Sequence, residues 1–106
     1  MSTVKLVGIY FKEGEKTKDH HNLMKELLHF LHDEHKVRGA SLFRAVAGFG
    51  AHGVAHADDL LRLNVHLPLI LEVFDDPDVI DRVMPRLREL VPAKHIICWK
   101  AEIADD

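Results

Sequence analysis

Histidine is the residue type best placed to do chemistry in this chain. Nine of the 106 residues are histidine, against one cysteine, Cys98, and two serines, Ser2 and Ser41. Imidazole ligates metals and changes charge near neutrality, at an unperturbed pKa of about 6.5. In "HFLHDEH", His29 and His32 stand three apart on one helical flank, with His35 one turn beyond and Asp33 and Glu34 between. That spacing suits Zn or Cu if a third ligand came from elsewhere. The competing reading is a solvated helix face, since His29 lies almost opposite the Leu27–Leu31 stripe. A second cluster lies in "AGFGAHGVAH" (47–56), where His52 and His56 fall four apart and His66 follows. They become neighbours only if the stretch is helical. A metal site, a pH-sensing loop and an ordinary polar loop all fit them. Cys98, between Ile97 and Trp99, reads as a small buried hydrophobe and has no CxxC partner. No serine triad is in sight, and the glycines are not followed by the strand-turn-helix of a Rossmann turn or P-loop. No enzyme is expected.

The length allows one compact domain over 1–106, of which 47% is hydrophobic. A formal net charge of −3 gives no positive field to draw in nucleic acid or an anionic membrane. Any anionic ligand must therefore be held by local cations and backbone amides. Apolar runs such as "HLPLILEVF" are far shorter than the roughly 20 residues of a membrane span, and "MSTVKLVGIYFKEGE" turns charged too early for a signal peptide. A cytoplasmic protein, not inserted in a membrane, is expected.

Four strands and two helices would position these groups. "TVKLVGIYF" (3–11) reads as a central strand, ending at "KEGEKTK". A helix follows over "DHHNLMKELLHFLHDEHK", with Leu23, Leu27, Phe30, Leu31 and Glu34 at helical spacing. Asp19 is its candidate N-cap, and Gly39 lies past its end. "ASLFRAVAG" (40–48) and "HLPLILEVFDD" (66–76) read as strands, the proline standing at a strand start. About eighteen residues separate them, more than a hairpin needs, and loops of that length tend to be functional or disordered. "VIDRVMPRLRELV" (79–91) is a helix, with Asp76 as N-cap, Pro77 at its first position and an internal Pro85 that bends it unless the lost bond faces solvent. "KHIICWKAEI" (94–103) is the last strand, and "ADD" a solvated tail.

The order β-α-β-β-α-β is that of the ferredoxin-like α+β class, a four-stranded antiparallel sheet with two helices on one face. One sheet face is then left bare, although Val4, Leu6, Ile9, Leu69, Leu71, Ile96, Ile97 and Trp99 supply apolar side chains to both. Oligomerisation through the sheet, most simply in a cyclic assembly, would bury it.

The stretch "GASLFRAVAGFGAHGVAHADDLLRLNVHLP" (39–68) resembles the PII signal-transduction superfamily, and within it a small PII-like family with the pattern "GATVLRGIAGFGASG…H…L…LP". The resemblance implies a homotrimer of ferredoxin-like subunits, a T-loop at about 48–66 and adenine-nucleotide sites in the clefts between subunits. It implies a sensor with no required cofactor, signalling to a transporter or channel in the membrane. Carried over residue by residue, Gly48, Phe49, Gly50 and Ala51 fall at the phosphate-cradling loop base, Lys94 at a phosphate-binding lysine and Arg62 near a matching arginine. The glycine-rich connection of the nitrogen regulators is replaced by "VPAKH", and the two arginines after their last strand have no counterpart in "AEIADD". A monophosphate nucleotide suits this pattern as well as ATP does. CutA, a divalent-metal protein of the same trimeric architecture, is the alternative that the histidine excess supports. A third reading is an interaction subunit with no ligand, whose loop only docks on a membrane protein.

Overall fold

A computed structural model gives the structure of the chain and describes residues 1–46 and 68–105. Strand β1, Ser2–Lys12, is followed by helix α1, Leu23–Leu28, which runs directly into a π-helical turn, His29–Glu34. Then come β2, Gly39–Arg44; β3, Pro68–Asp75; helix α2, Pro77–Leu90; a 3-10 turn, Ala93–His95; and β4, Ile96–Ile103. The strands form one antiparallel sheet in the order β2-β3-β1-β4. This is the ferredoxin-like α+β arrangement that the order of elements predicts.

Period-two alternation decides which side chains meet the helices. The register aligns Val7 with Val73, Ile9 with Leu71 and Phe11 with Leu69. All six are buried, under Leu23, Leu27, Phe30 and Leu31 from the first helical segment and Ile80, Val83 and Leu87 from α2. The opposite face carries Leu6 between Phe74 and Trp99, Gly8 between Glu72 and Ile97, and Tyr10 beside Ile70. No helix among the described residues covers it, and Phe43 and Ile97 stay about half exposed, at 51% and 50%. The apolar residues divide between the faces as expected, with Ile9, Leu69 and Leu71 in the core and Ile97 and Trp99 outside it.

Several local expectations are corrected. Asn22, and not Asp19, caps α1: its side-chain oxygen accepts from the Lys25 N–H at 3.0 Å. Residues 16–22 are held as a turn by the Lys16–Asn22 bridge and by Leu23 N–H donating to the Glu15 carbonyl at 2.9 Å, so the helix cannot begin earlier. Helix formation over 19–36 is shorter than predicted and gains a π turn, closed by His35 N–H donating to the Phe30 carbonyl at 3.2 Å. Gly39 opens β2 instead of trailing the helix. Asp76 occupies the N-cap position of α2, but its side chain makes no capping bond and pairs with Arg38 at 3.2 Å. Pro85 lies inside α2 on its exposed side, where the missing amide costs least. The tail is not free, since the Asp105 carboxylate accepts from the Ser2 hydroxyl at 2.8 Å and pairs with the terminal ammonium at 3.0 Å.

Cys98 is exposed, not buried. It pairs in register with Val7 and so lies on the helix side, but β4 is an edge strand that α2 leaves partly uncovered. A gap of about 260 Å³ remains there, lined by Met84, Arg88, Ala93, Ile96 and Cys98. No helix among the described residues is long and apolar enough to cross a membrane.

Candidate ligand site at the loop end of the sheet

The antiparallel register gathers the connections that matter at one end of the sheet. Lys12 at the end of β1 aligns with Pro68 at the start of β3, and Arg44 closes β2 beside Leu69. β4 begins at this end too, where Ile96 aligns with Ile9. The end of β2 and the start of β3 therefore lie at the same end of the sheet as the Ala93–His95 turn. They are tied together by the Ala45 N–H, which donates to the Pro68 carbonyl at 3.0 Å. Gly48, Phe49, Gly50, Ala51, His52, His56 and Arg62 lie outside the described residues.

Lys94 is exposed in the 3-10 turn before β4, two residues short of the strand it was expected to open. Beside it, the Nδ1 of His95 is buried and has no hydrogen-bond partner among the described residues. At the other edge, the Arg44 guanidinium holds the Glu13 carboxylate through two nitrogens, one at 2.8 Å and the second to the other carboxylate oxygen. That bond makes the guanidinium still harder to deprotonate than usual. Arg44 and His95 are polar groups that sequence reasoning did not single out. The one signal available for Arg44 was its place just before the glycine-rich stretch. Three interstrand steps of about 4.8 Å separate β2 from β4, so these two cationic corners stand roughly 14 Å apart within one chain.

The helix histidines sit differently from a metal centre. Asp33 takes both of them, His29 Nδ1 on one carboxylate oxygen and His32 Nδ1 on the other, each at 2.8 Å. His29 Nε2 also lies 3.6 Å from the Glu34 carboxylate. Among the described residues, no group of three histidine, cysteine or carboxylate side chains is arranged to hold a metal ion. Nearby, a groove of about 610 Å³ opens between this turn and the start of β2, at the end of the sheet away from the loop.

The histidine cluster instead makes stability depend on pH. The hydrogen bond that His29 donates to the Asp33 carboxylate raises the His29 pKa above its ordinary value, and the charges of Asp33, Glu34 and Glu26 add to that against some desolvation. Asp33 is lowered in turn, chiefly by His32 and then by His29. A raised imidazole gives its full contribution below its unfolded pKa of about 6.5 and loses it as pH rises through the folded value. A lowered carboxylate contributes above its unfolded value and loses this as pH falls through the folded one. The pair should thus stabilise the fold between those limits. Asp33→Asn is expected to lower the melting temperature near about pH 5 and to match the parent near about pH 9. A deficit that widened with rising pH would contradict this assignment.

The DUF190 family, described as an uncharacterized ACR, matches residues 4–103. A UPF0166 protein of Methanocaldococcus jannaschii is 34% identical over 97 residues, which cover 92% of this chain and 87% of that protein. One from Aquifex aeolicus is 31% identical over 55 residues, 52% of each. Among solved structures, a PII-like signaling protein from Thermus thermophilus matches with a TM-score of 0.51 at 20% identity, covering 94% of this chain and 86% of the other. CPII of Thiomonas intermedia, bound to ADP and bicarbonate, matches with a TM-score of 0.52 at 14% identity, covering 95% and 88%. At such identities the likeness speaks to the fold.

Proposed function

Because the chain belongs to the DUF190 family and has the fold of PII-like signalling proteins, we propose that it is a non-enzymatic sensor that binds a small anionic effector, an adenine nucleotide, between subunits of a homotrimer. The segment 48–66 carries the signal to a membrane transporter or channel. The observation that bears most weight is topological: the end of β2, the start of β3 and the Lys94 turn lie at the same end of the sheet. The roughly 14 Å between the β2 and β4 edges adds a reason for a site between chains. A cyclic assembly that brings the β4 edge of one subunit to the β2 edge of the next would set Lys94 beside the loop base of its neighbour. The bare apolar face, with Tyr10, Phe43, Ile97 and Trp99 exposed, supports assembly through the sheet.

In this reading the backbone amides of Gly48, Phe49, Gly50 and Ala51 hold phosphate, and Lys94 with Arg62 supplies charge. Binding must favour one loop state over the other, by about 1.4 kcal/mol for each tenfold shift in population. The structural neighbour that holds ADP makes ADP the first nucleotide to try. A thermal-shift screen with AMP, ADP, ATP, bicarbonate, Zn²⁺ and Cu²⁺ is expected to show a rise with a nucleotide. A ligand present at 100 times its Kd adds about 2.7 kcal/mol, a shift on the order of 10 °C for a domain of this size. Lys94→Ala should remove most of that rise without changing the melting temperature of the unliganded protein. Nucleotide binding unaffected by Lys94→Ala would remove the lysine from the site, and a response to metal alone would overturn the nucleotide reading.

A further inference from the structure

The uncovered sheet face holds a carboxylate where its surroundings least favour one. Glu72 sits midway along β3, an interior strand, with Gly8 of β1 and Ser41 of β2 directly beside it in register. Ile70 and Phe74 flank it on the same face of its own strand, and Ile97 lies beyond Gly8. Strand alternation sends the nearest cations of the described strands elsewhere. Lys5 and Lys100 align with each other on the helix side, where Lys5 reaches Asp81 of α2 at 2.6 Å. Arg44 is in register with buried Leu69, also on the helix side. Among the described strand residues, the other titratable or charged side chains on this face are Tyr10, two places along β1, and Lys12, four places along at the loop end. Four residues of strand are about 13 Å, too far for a direct ion pair with Glu72.

In a single chain Glu72 is half-buried and water reaches it. Assembly through this face, on which the inference rests, removes that water. Among the described strand residues, this face of a neighbouring copy offers the same Tyr10 and Lys12, and its one cation, Lys12, stands at the loop end and not at the middle. The Ser41 hydroxyl can donate one hydrogen bond, which does not meet the needs of a charged carboxylate in apolar surroundings. Desolvation favours the neutral acid. We propose that closure of the sheet-to-sheet assembly is proton-linked through Glu72, whose carboxyl takes up a proton as the face is buried. The assembled state then binds more protons than the separate subunits and is favoured as pH falls.

Sedimentation velocity over a dilution series between about pH 8 and about pH 5 tests this on the parent and on Glu72→Gln, a neutral side chain of the same shape. For the parent, the association constant should rise as pH falls, by up to about tenfold per pH unit for each proton taken up. Glu72→Gln should assemble at the higher pH at least as well as the parent and lose that part of the slope. The other titrating groups, nine histidines included, are common to both proteins and cancel in the comparison. Equal slopes would overturn the proposal while leaving the oligomer intact, as would an assembly that a chelator abolishes, which would show a cation at the carboxylate instead. Failure of both proteins to assemble at any pH would remove the oligomeric reading itself. Infrared spectroscopy of the assembled parent supplies an independent check, since it should show a protonated carboxyl absorption that Glu72→Gln lacks.

Discussion

Leu71→Ala is expected to lower the free energy of unfolding by about 2–5 kcal/mol, a large share of the roughly 5–15 kcal/mol that a domain of this kind possesses. Leu71 is fully buried at the middle of β3, aligned with Ile9 on one side and Leu42 on the other. Both helices contribute to the cluster around it, so no single element can move in to fill the space without losing contacts elsewhere. Urea titration should show an earlier midpoint with an unchanged slope, since the surface exposed on unfolding is nearly the same. Leu42→Ala is the informative companion. It removes the same atoms from the same face, but Leu42 is 44% exposed on the edge strand, and the cost should fall below about 1 kcal/mol. Equal losses for the two would contradict the burial pattern of the single chain.

The contrast between Leu42 and Leu71 also shows where sequence reading stops. Alternation assigns each strand residue to a face, and the succession of elements settles the ferredoxin-like topology. Neither says how far a helix reaches across the sheet. Cys98 and Val7 share a face and a register pair, yet one is exposed and the other fully buried, because β4 lies at the edge and β1 in the interior. The start of α1 lies three residues later than Asp19 predicts, for a related reason. Asp19 and Asn22 are equally good caps by type, and the choice is made by the backbone contact from Leu23 to Glu15, which belongs to the preceding turn. The π turn escaped because a stripe of apolar residues spaced three and four apart fits a helix with or without one extra residue in its last turn. Of the proposed ligand site, the glycine-rich motif was legible as a pattern. The position of Lys94 relative to Arg44 was not, since it depends on the order of strands in the sheet.

Gly39→Ala carries the second large expected effect, and its size should depend on assembly. A Cβ on Gly39 would lie 2.1 Å from Cε1 of Phe74 and 2.8 Å from its Cζ, so the ring cannot stay where it is. The glycine is there for space: it leaves room for the ring of its cross-strand neighbour on the uncovered face. Overpacking of this kind costs about 1–3 kcal/mol when the displaced group has nowhere to go. Phe74→Ala in the Gly39→Ala background should recover most of the loss, with a coupling energy of about 0.5–3 kcal/mol in the double-mutant cycle. In a dilute single chain the ring can swing into water above Leu6 and Glu72, and the penalty should be at the low end. In an assembly closed over this face that escape is blocked, and Gly39→Ala should shift the equilibrium toward separate subunits. The same substitution, measured by unfolding at low concentration and by sedimentation at high concentration, therefore reports whether Phe74 is covered. A penalty independent of concentration would place Phe74 outside the assembled surface, and with it the surroundings of Glu72.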